Sequence, residues 1–327
     1  MIRRPPRSTQ SRSSAASDVY KRQSMSNEIT TIDTDNYAEM AKAMGIAGDT
    51  GSADTSKANP LPRFRLHHNN IMGVKKVGGE SIEAVVVKGG SFKLERPDMP
   101  VLYAPKVQIR PFIQRFMYKR FVKNMSAKSG EPMGTYHKTL MADNLNNDLK
   151  DNQGGFNCGK PSGYIKDFKG LPVTTQEVIK QIKRVRVIFG LIDMPNAVDE
   201  KGDKVSLDVT PFIWEIDNRD AFKTMGEPFT KFSQTKRLPV QHHIELTSEE
   251  RALPSGAKFY LPNYSLDLQN SVTVNDDDQN TFINFMSWID NYNSYIFNEW
   301  EMKAKKPVSQ SDKDTVNDFI DVDVADV

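Results

Sequence analysis

The 327-residue chain contains a single cysteine, Cys158. One thiol forms no internal disulfide and builds no multi-cysteine zinc module, and such sparing use fits a reducing interior. Histidine is also scarce: His67, His68, His137, His242 and His243 are the full set. No His-x-x-x-His spacing accompanies them, so neither a metal site nor a cofactor is expected. No window approaches the roughly 18 uninterrupted apolar residues of a membrane span. Carboxylates are plentiful, but no pair stands at a spacing that marks an acid/base or metal arrangement, and no catalytic residue is predicted. What remains, 38% hydrophobic and 26% charged residues, is the composition of a soluble globular protein with a cytoplasmic default.

Charge is distributed unevenly. Residues 1–23 carry Arg3, Arg4, Arg7, Arg12, Lys21 and Arg22 against Asp18. This Ser-rich stretch has no apolar core of the kind a signal peptide needs. It resembles translated sequencing-adapter read-through, which places the expected start at Met25; a basic nucleic-acid arm is the alternative. Residues 24–60 are acidic, with one short helical run ahead of a polar linker. Residues 307–327 hold Asp312, Asp314, Asp318, Asp321, Asp323 and Asp326 against Lys313. A mildly basic body, residues 61–306, thus lies between acidic flanks.

Within that body, residues 110–123, RPFIQRFMYKRFVK, interleave rings and cations most densely. Read with period 2, Arg110, Phe112, Gln114, Phe116, Tyr118 and Arg120 fall on one side of a strand. Rings stack on bases and cations follow phosphates, the chemistry of single-stranded nucleic-acid binding. The competing reading is an ordinary sheet face. An exposed loop at 124–134 and the returning TYHKTLM at 135–141 complete a long hairpin. Phe112, Phe116, Tyr118 and Tyr136 are the candidate stacking rings. Arg110, Arg115, Lys119, Arg120, Lys123, Lys138, Arg184 and Arg186 are the candidate phosphate contacts.

Gly154 to Lys160 matches the Gly-x4-Gly-Lys core of a phosphate-binding loop. The context fails: Pro161 stands at the Ser/Thr position, no buried strand precedes Gly154, and Pro161, Ser162 and Gly163 favour a turn over a helix. Nucleotide hydrolysis is therefore not expected there, and Cys158 reads as a packed residue.

Elsewhere the periodicities predict short strands at 82–88 and 91–95 joined by a Gly89–Gly90 turn, and an extended run at 101–109 with prolines that suggest an edge or bends. They predict a helix over 174–184 with Thr174 and Glu177 as a capping box, strands at 184–193 and 205–217, and an interrupted helix after Asn218. Strands at 239–247 and 257–266 follow, the latter with Lys258, Tyr260 and Tyr264 as a lesser ringed set. A long helix from 279 carries the stripe Phe282, Phe285, Met286, Ile289, Tyr292, Ile296 and Trp300. Docking onto the sheet is its simplest use, and a homo-oligomer surface the alternative.

The expected fold is α+β and mainly antiparallel, an OB-like barrel or sandwich with a long C-terminal helix and a disordered acidic tail. Its plan over residues 82–327, aromatic and basic strands followed by an acidic terminus with a Phe, resembles the single-stranded DNA-binding proteins of phage and bacterial replication. The resemblance implies an OB-type barrel, single-stranded DNA as ligand, and a tail that recruits a polymerase or helicase while competing for the basic groove. Asp318, Phe319, Ile320, Asp321 and Asp323 would make that partner contact. The chain departs from the pattern in its larger domain and in a tail not of the DDDIPF type. A phage structural or scaffolding protein is the rival expectation.

Overall fold

A strand whose odd and even positions are both apolar must be covered on both faces, and Lys183–Asp193 is such a strand. Val185, Val187 and Phe189 point to one side, Ile188 and Ile192 to the other, and all are buried. The computed structural model describes residues 61–305; the expectations for residues 1–60 and 306–327 lie outside them.

Eleven strands are described. They are β1 (Arg63–Leu66), β2 (Ile71–Val77), β3 (Glu80–Val87), β4 (Phe92–Glu95), β5 (Leu102–Ala104), β6 (Val107–Lys123), β7 (Gly134–Lys138), β8 (Lys183–Asp193), β9 (Thr210–Ile216), β10 (Ile244–Ala252) and β11 (Lys258–Leu266). The α-helices are α1 (Val173–Gln181), α2 (Arg219–Thr224), α3 (Glu227–Gln234) and α4 (Asp276–Ala304). The main sheet runs β11-β10-β6-β8-β9-β1-β4-β5, with β7 added to β6, and β2-β3 forms a separate ribbon. All pairings are antiparallel except β1 with β9, which meet at the single rung Arg63–Ile213. The architecture is therefore α+β and mostly antiparallel. No sheet closes on itself, so backbone ladders do not make the expected barrel.

One core fills the inner face of this sheet. Phe64, Phe92, Leu94, Ile109, Phe212, Trp214, Ile244 and Leu246 meet there beneath Ala221 of α2, Met225 just after it and Phe232 of α3. The second core lies on the opposite face, where Phe285 and Ile289 of α4 pack on Phe112, Met117, Val185, Val187 and Phe189. The docking half of the aromatic stripe is thus seated. Phe282 is not, and stays exposed. Two polar pins fix the helix: the Tyr292 hydroxyl donates to the Thr139 carbonyl at 2.9 Å, and the Asn293 side chain binds both backbone groups of Met141. Asn275 opens α4 with a complete capping box to Asp278. Asn218 caps α2 as expected, and the chain breaks at Gly226 before α3. By contrast α1 begins at Val173 after Pro172, with no side-chain cap, so the Thr174–Glu177 box is not used.

The Gly89–Gly90 turn does not join a hairpin. β3 pairs with β2, and β4 pairs with β1 and β5. The glycines serve a different purpose: the turn passes beneath Tyr260 of β11, where a Cβ on Gly90 would lie 2.6 Å from the ring and from Ser248 Oγ. There the Tyr260 amide donates to His68 Nδ1 at 3.2 Å, a side-chain link across the gap that the ladders leave open. Because Gly90 has φ +86°, Gly90→Ala is expected to cost about 1–3 kcal/mol from backbone strain alone. A thermal melt displaced downward checks this, and an unchanged midpoint would show the turn relaxing freely. Among the described residues no helix is long and apolar enough to cross a membrane.

Candidate nucleic-acid interface

The central strand β6 is interrupted. Its pairing with β8 runs Arg110–Leu191, Pro111–Gly190, then Ile113–Phe189, leaving Phe112 as an extra residue. Proline has no N–H for the ladder and often marks such a bulge. One inserted residue reverses the facing of everything after it. Arg110 and Phe112 therefore point to the α4 side, whereas Gln114, Phe116, Tyr118 and Arg120 point to the other. The single ringed face expected from period 2 does not exist.

Both halves are already engaged. Arg110 forms an ion pair with Asp278 at the start of α4, and its guanidinium lies 5.1 Å from the Phe112 ring. Phe112 is buried edge-on against Phe285 at 5.7 Å. Beyond the bulge, Tyr118 is buried beside Leu149 and Cys158, and burial raises its phenol pKa. Phe116 is half-buried under Arg186, whose guanidinium is sandwiched between the Phe116 and Phe222 rings at 5.0 and 4.6 Å. Arg186 donates to the Phe222 carbonyl at 3.1 Å and to the Gln114 side chain. Only 8% exposed, it has no carboxylate partner among the described residues, and desolvation lowers its pKa to about 10. Arg184, exposed on the same side, lies 5.5 Å from Phe222. Arg120 donates to the Cys158 carbonyl at 3.1 Å, and Arg115 pairs with Asp143 at 3.1 Å.

The glycine-rich loop beside them is occupied from within. Asp151, itself buried, accepts hydrogen bonds from the amides of Gln153, Gly155 and Cys158 at 2.9–3.1 Å. These are the amides a phosphate cradle would need. Lys160 turns to the carbonyls of Pro161 and Gly163. Burial, then the nearby Asp151 charge, pushes the Cys158 thiol up to about 12. The native protein is expected to resist thiol-specific labelling at pH 8 and to react only on denaturation. Stoichiometric labelling of the folded chain would contradict that burial.

The exposed ring pair belongs to the face the period-2 reading set aside. In the β6–β7 hairpin, Phe121 stands opposite Tyr136 and Lys119 opposite Lys138. The two rings lie 4.9 Å apart, 38% and 50% exposed. Lys119 Nζ is 5.1 Å and Lys138 Nζ 5.9 Å from the centre of Tyr136, with exposed Lys123 one step beyond Phe121 on the same side. Phe121 was missed because it is an odd-numbered residue of β6; its signal was the cross-strand position opposite Tyr136 once the hairpin is drawn.

This face continues across the sheet. Lys183 of β8 stands beside Lys119, and Glu215 and Asp217 at the end of β9 hold these lysines: Lys119 lies 3.4 Å from Glu215, Lys138 3.9 Å from Glu215 and Lys183 3.2 Å from Asp217. Because β1 and β9 share one rung and then diverge, a cleft of about 550 Å³ opens between them. Arg63, Arg65, Lys119, Lys138 and Tyr136 line it beside Glu215 and Asp217. Burial, helped by Lys119 and Arg63 and opposed by Glu215, lowers the Lys138 pKa. Among the described residues no group of three or more His, Cys, Asp or Glu side chains gathers as a metal site. No protein-family model, curated protein or solved structure matches this chain.

Proposed function

We propose that the chain binds single-stranded DNA, with the β6–β7 hairpin as its stacking platform. The observation that carries this reading is the exposed Phe121–Tyr136 pair bracketed by Lys119, Lys123 and Lys138. Adjacent rings offer π-faces to successive bases whatever their sequence, and lysines on the same face meet the backbone. The tips of a hairpin and the rim of a cleft present such groups to a flexible strand rather than to a rigid duplex. An OB-like function does not require a closed ladder here, since the ringed face lies on an open sheet.

A polarisation titration of labelled oligo-dT at two salt concentrations tests the reading. Binding that weakens steeply with salt is expected; no binding at low salt overturns it. In the same reading the acidic tail, through Asp318, Phe319, Ile320, Asp321 and Asp323, recruits a replication polymerase or helicase and competes with DNA. Removing residues 309–327 is then expected to tighten DNA binding, and unchanged affinity would remove the competition.

A second reading, a phage structural or assembly protein, is favoured by one observation. Along its length α4 exposes Phe282, Ile283, Tyr295, Phe297 and Met302, apolar side chains of the kind an assembly surface uses. Light scattering that finds defined oligomers lost on Phe282→Ser and Ile283→Ser supports homo-oligomerisation through this helix. A monomer at all concentrations discards it.

A further inference from the structure

We propose that the cleft between β1 and β9 is a second contact site for the strand, one that takes its phosphodiester backbone after it leaves the Phe121–Tyr136 pair, with Arg63 and Arg65 as the contacts. The inference rests on the single-stranded DNA reading above.

Strand pairing and the lining of the cleft bring the relevant groups into one oblique band. Lys138 of β7, Lys119 of β6 and Lys183 of β8 stand on successive strands, Glu215 near the end of β9 and Asp217 just after it reach these lysines, and Arg63 and Arg65 of β1 line the same cleft. Paired residues share a face, and on it α4 meets Met117 and Thr139 through Tyr292 and the 152–156 loop through Lys303 and Trp300. The band crosses the strands rather than following one. From β7 to β1 it covers about 19 Å laterally at the usual strand spacing, and it also runs obliquely, since the rung of Arg63 continues through Ile213 and Phe189 to Ile113. A strand laid along it would occupy a site near the short end of the roughly 4–16 nucleotides of known single-strand binding domains.

The charges of the cleft suit an anion. Glu215 and Asp217 are shared among Lys119, Lys138 and Lys183, and Arg65 shares Glu95 with Lys93. Cations outnumber carboxylates in this network, and Arg63, exposed at the cleft mouth, makes no ion pair among the described residues. Clustered cations of this kind release counterions when a polyanion arrives. The β1–β9 gap also supplies width: had the two strands paired along their length, Arg63 and Arg65 would sit on a flat sheet, without the Tyr136 and Trp214 walls.

The test uses the full chain and a ladder of labelled oligo-dT lengths. The Arg63→Gln/Arg65→Gln double variant is expected to reduce the log–log salt slope by about 2, one per lost phosphate contact. It should also shorten the oligomer at which affinity stops rising. Arg251→Gln, off the band, should change neither. As a second variant, Glu215→Gln removes a negative charge from the path and is expected to tighten binding severalfold. Thymidine monophosphate alone should not displace the oligomer at comparable concentration; displacement would mark an isolated nucleotide pocket and overturn the path. Binding by the unaltered chain with an unchanged slope in the double variant overturns this inference alone. No binding by the unaltered chain overturns the function as well.

Discussion

Arg110→Ala is expected to destabilise the protein by about 3–5 kcal/mol, the scale for breaking a buried ion pair and leaving one charge behind. Arg110 and Asp278 are both largely buried, and Asp278 is also the side chain that closes the α4 capping box. Losing the guanidinium leaves the buried Asp278 carboxylate without its counter-ion and loosens the start of a 29-residue helix. The same scale applies to Phe285→Ala, which empties the centre of the second core. Chemical denaturation measures both. The paired replacement Arg110→Met with Asp278→Leu should recover most of the loss, because two apolar groups leave no unpaired charge. A fully stable Arg110→Ala protein would show instead that Arg110 is free for ligand, as the period-2 reading had it.

The second large effect concerns affinity with stability spared. Phe121→Ala with Tyr136→Ala removes two rings, each worth about 1–3 kcal/mol when a base stacks on it. The double variant is therefore expected to lose roughly 30- to 10⁴-fold in oligo-dT affinity if the two contributions add. Its melting temperature should hardly move, since both rings are exposed and pack mainly on each other. The opposite pattern, retained affinity with lost stability, would make the pair an ordinary hairpin clasp.

Much of the fold was legible because its signals are local. Asn218 before an amphipathic run, Asp276 to Asp278 ahead of a 3.6-period stripe, and the alternation of residues 184–193 each determine structure within a few residues. The hairpin at 110–141 was equally plain from two ringed runs around a polar tip. What could not be read was parity along β6. Pro111 was visible as a proline that a central strand tolerates poorly, but the extra residue it accompanies, Phe112, exists only relative to the partner strand β8. That single residue sends Arg110 and Phe112 beneath α4 and turns Tyr118 into the wall of Leu149 and Cys158. The cations suffered similarly: composition lists Lys119, Arg186 and Lys138 alike, while pairing separates a sandwiched Arg186 from half-buried lysines held by Glu215 and Asp217. Arg63 and Arg65 escaped notice because a four-residue strand carries too little pattern, and because their setting depends on a parallel rung with β9, about 150 residues away.

The measurement that bears most directly on the account is photocrosslinking of iododeoxyuridine-substituted oligo-dT to the full chain, with the attached peptide sequenced by mass spectrometry. The account predicts adducts on Tyr136 and Phe121. Adducts confined to Phe116 or Tyr118, or none under conditions where the oligomer is bound, would contradict it.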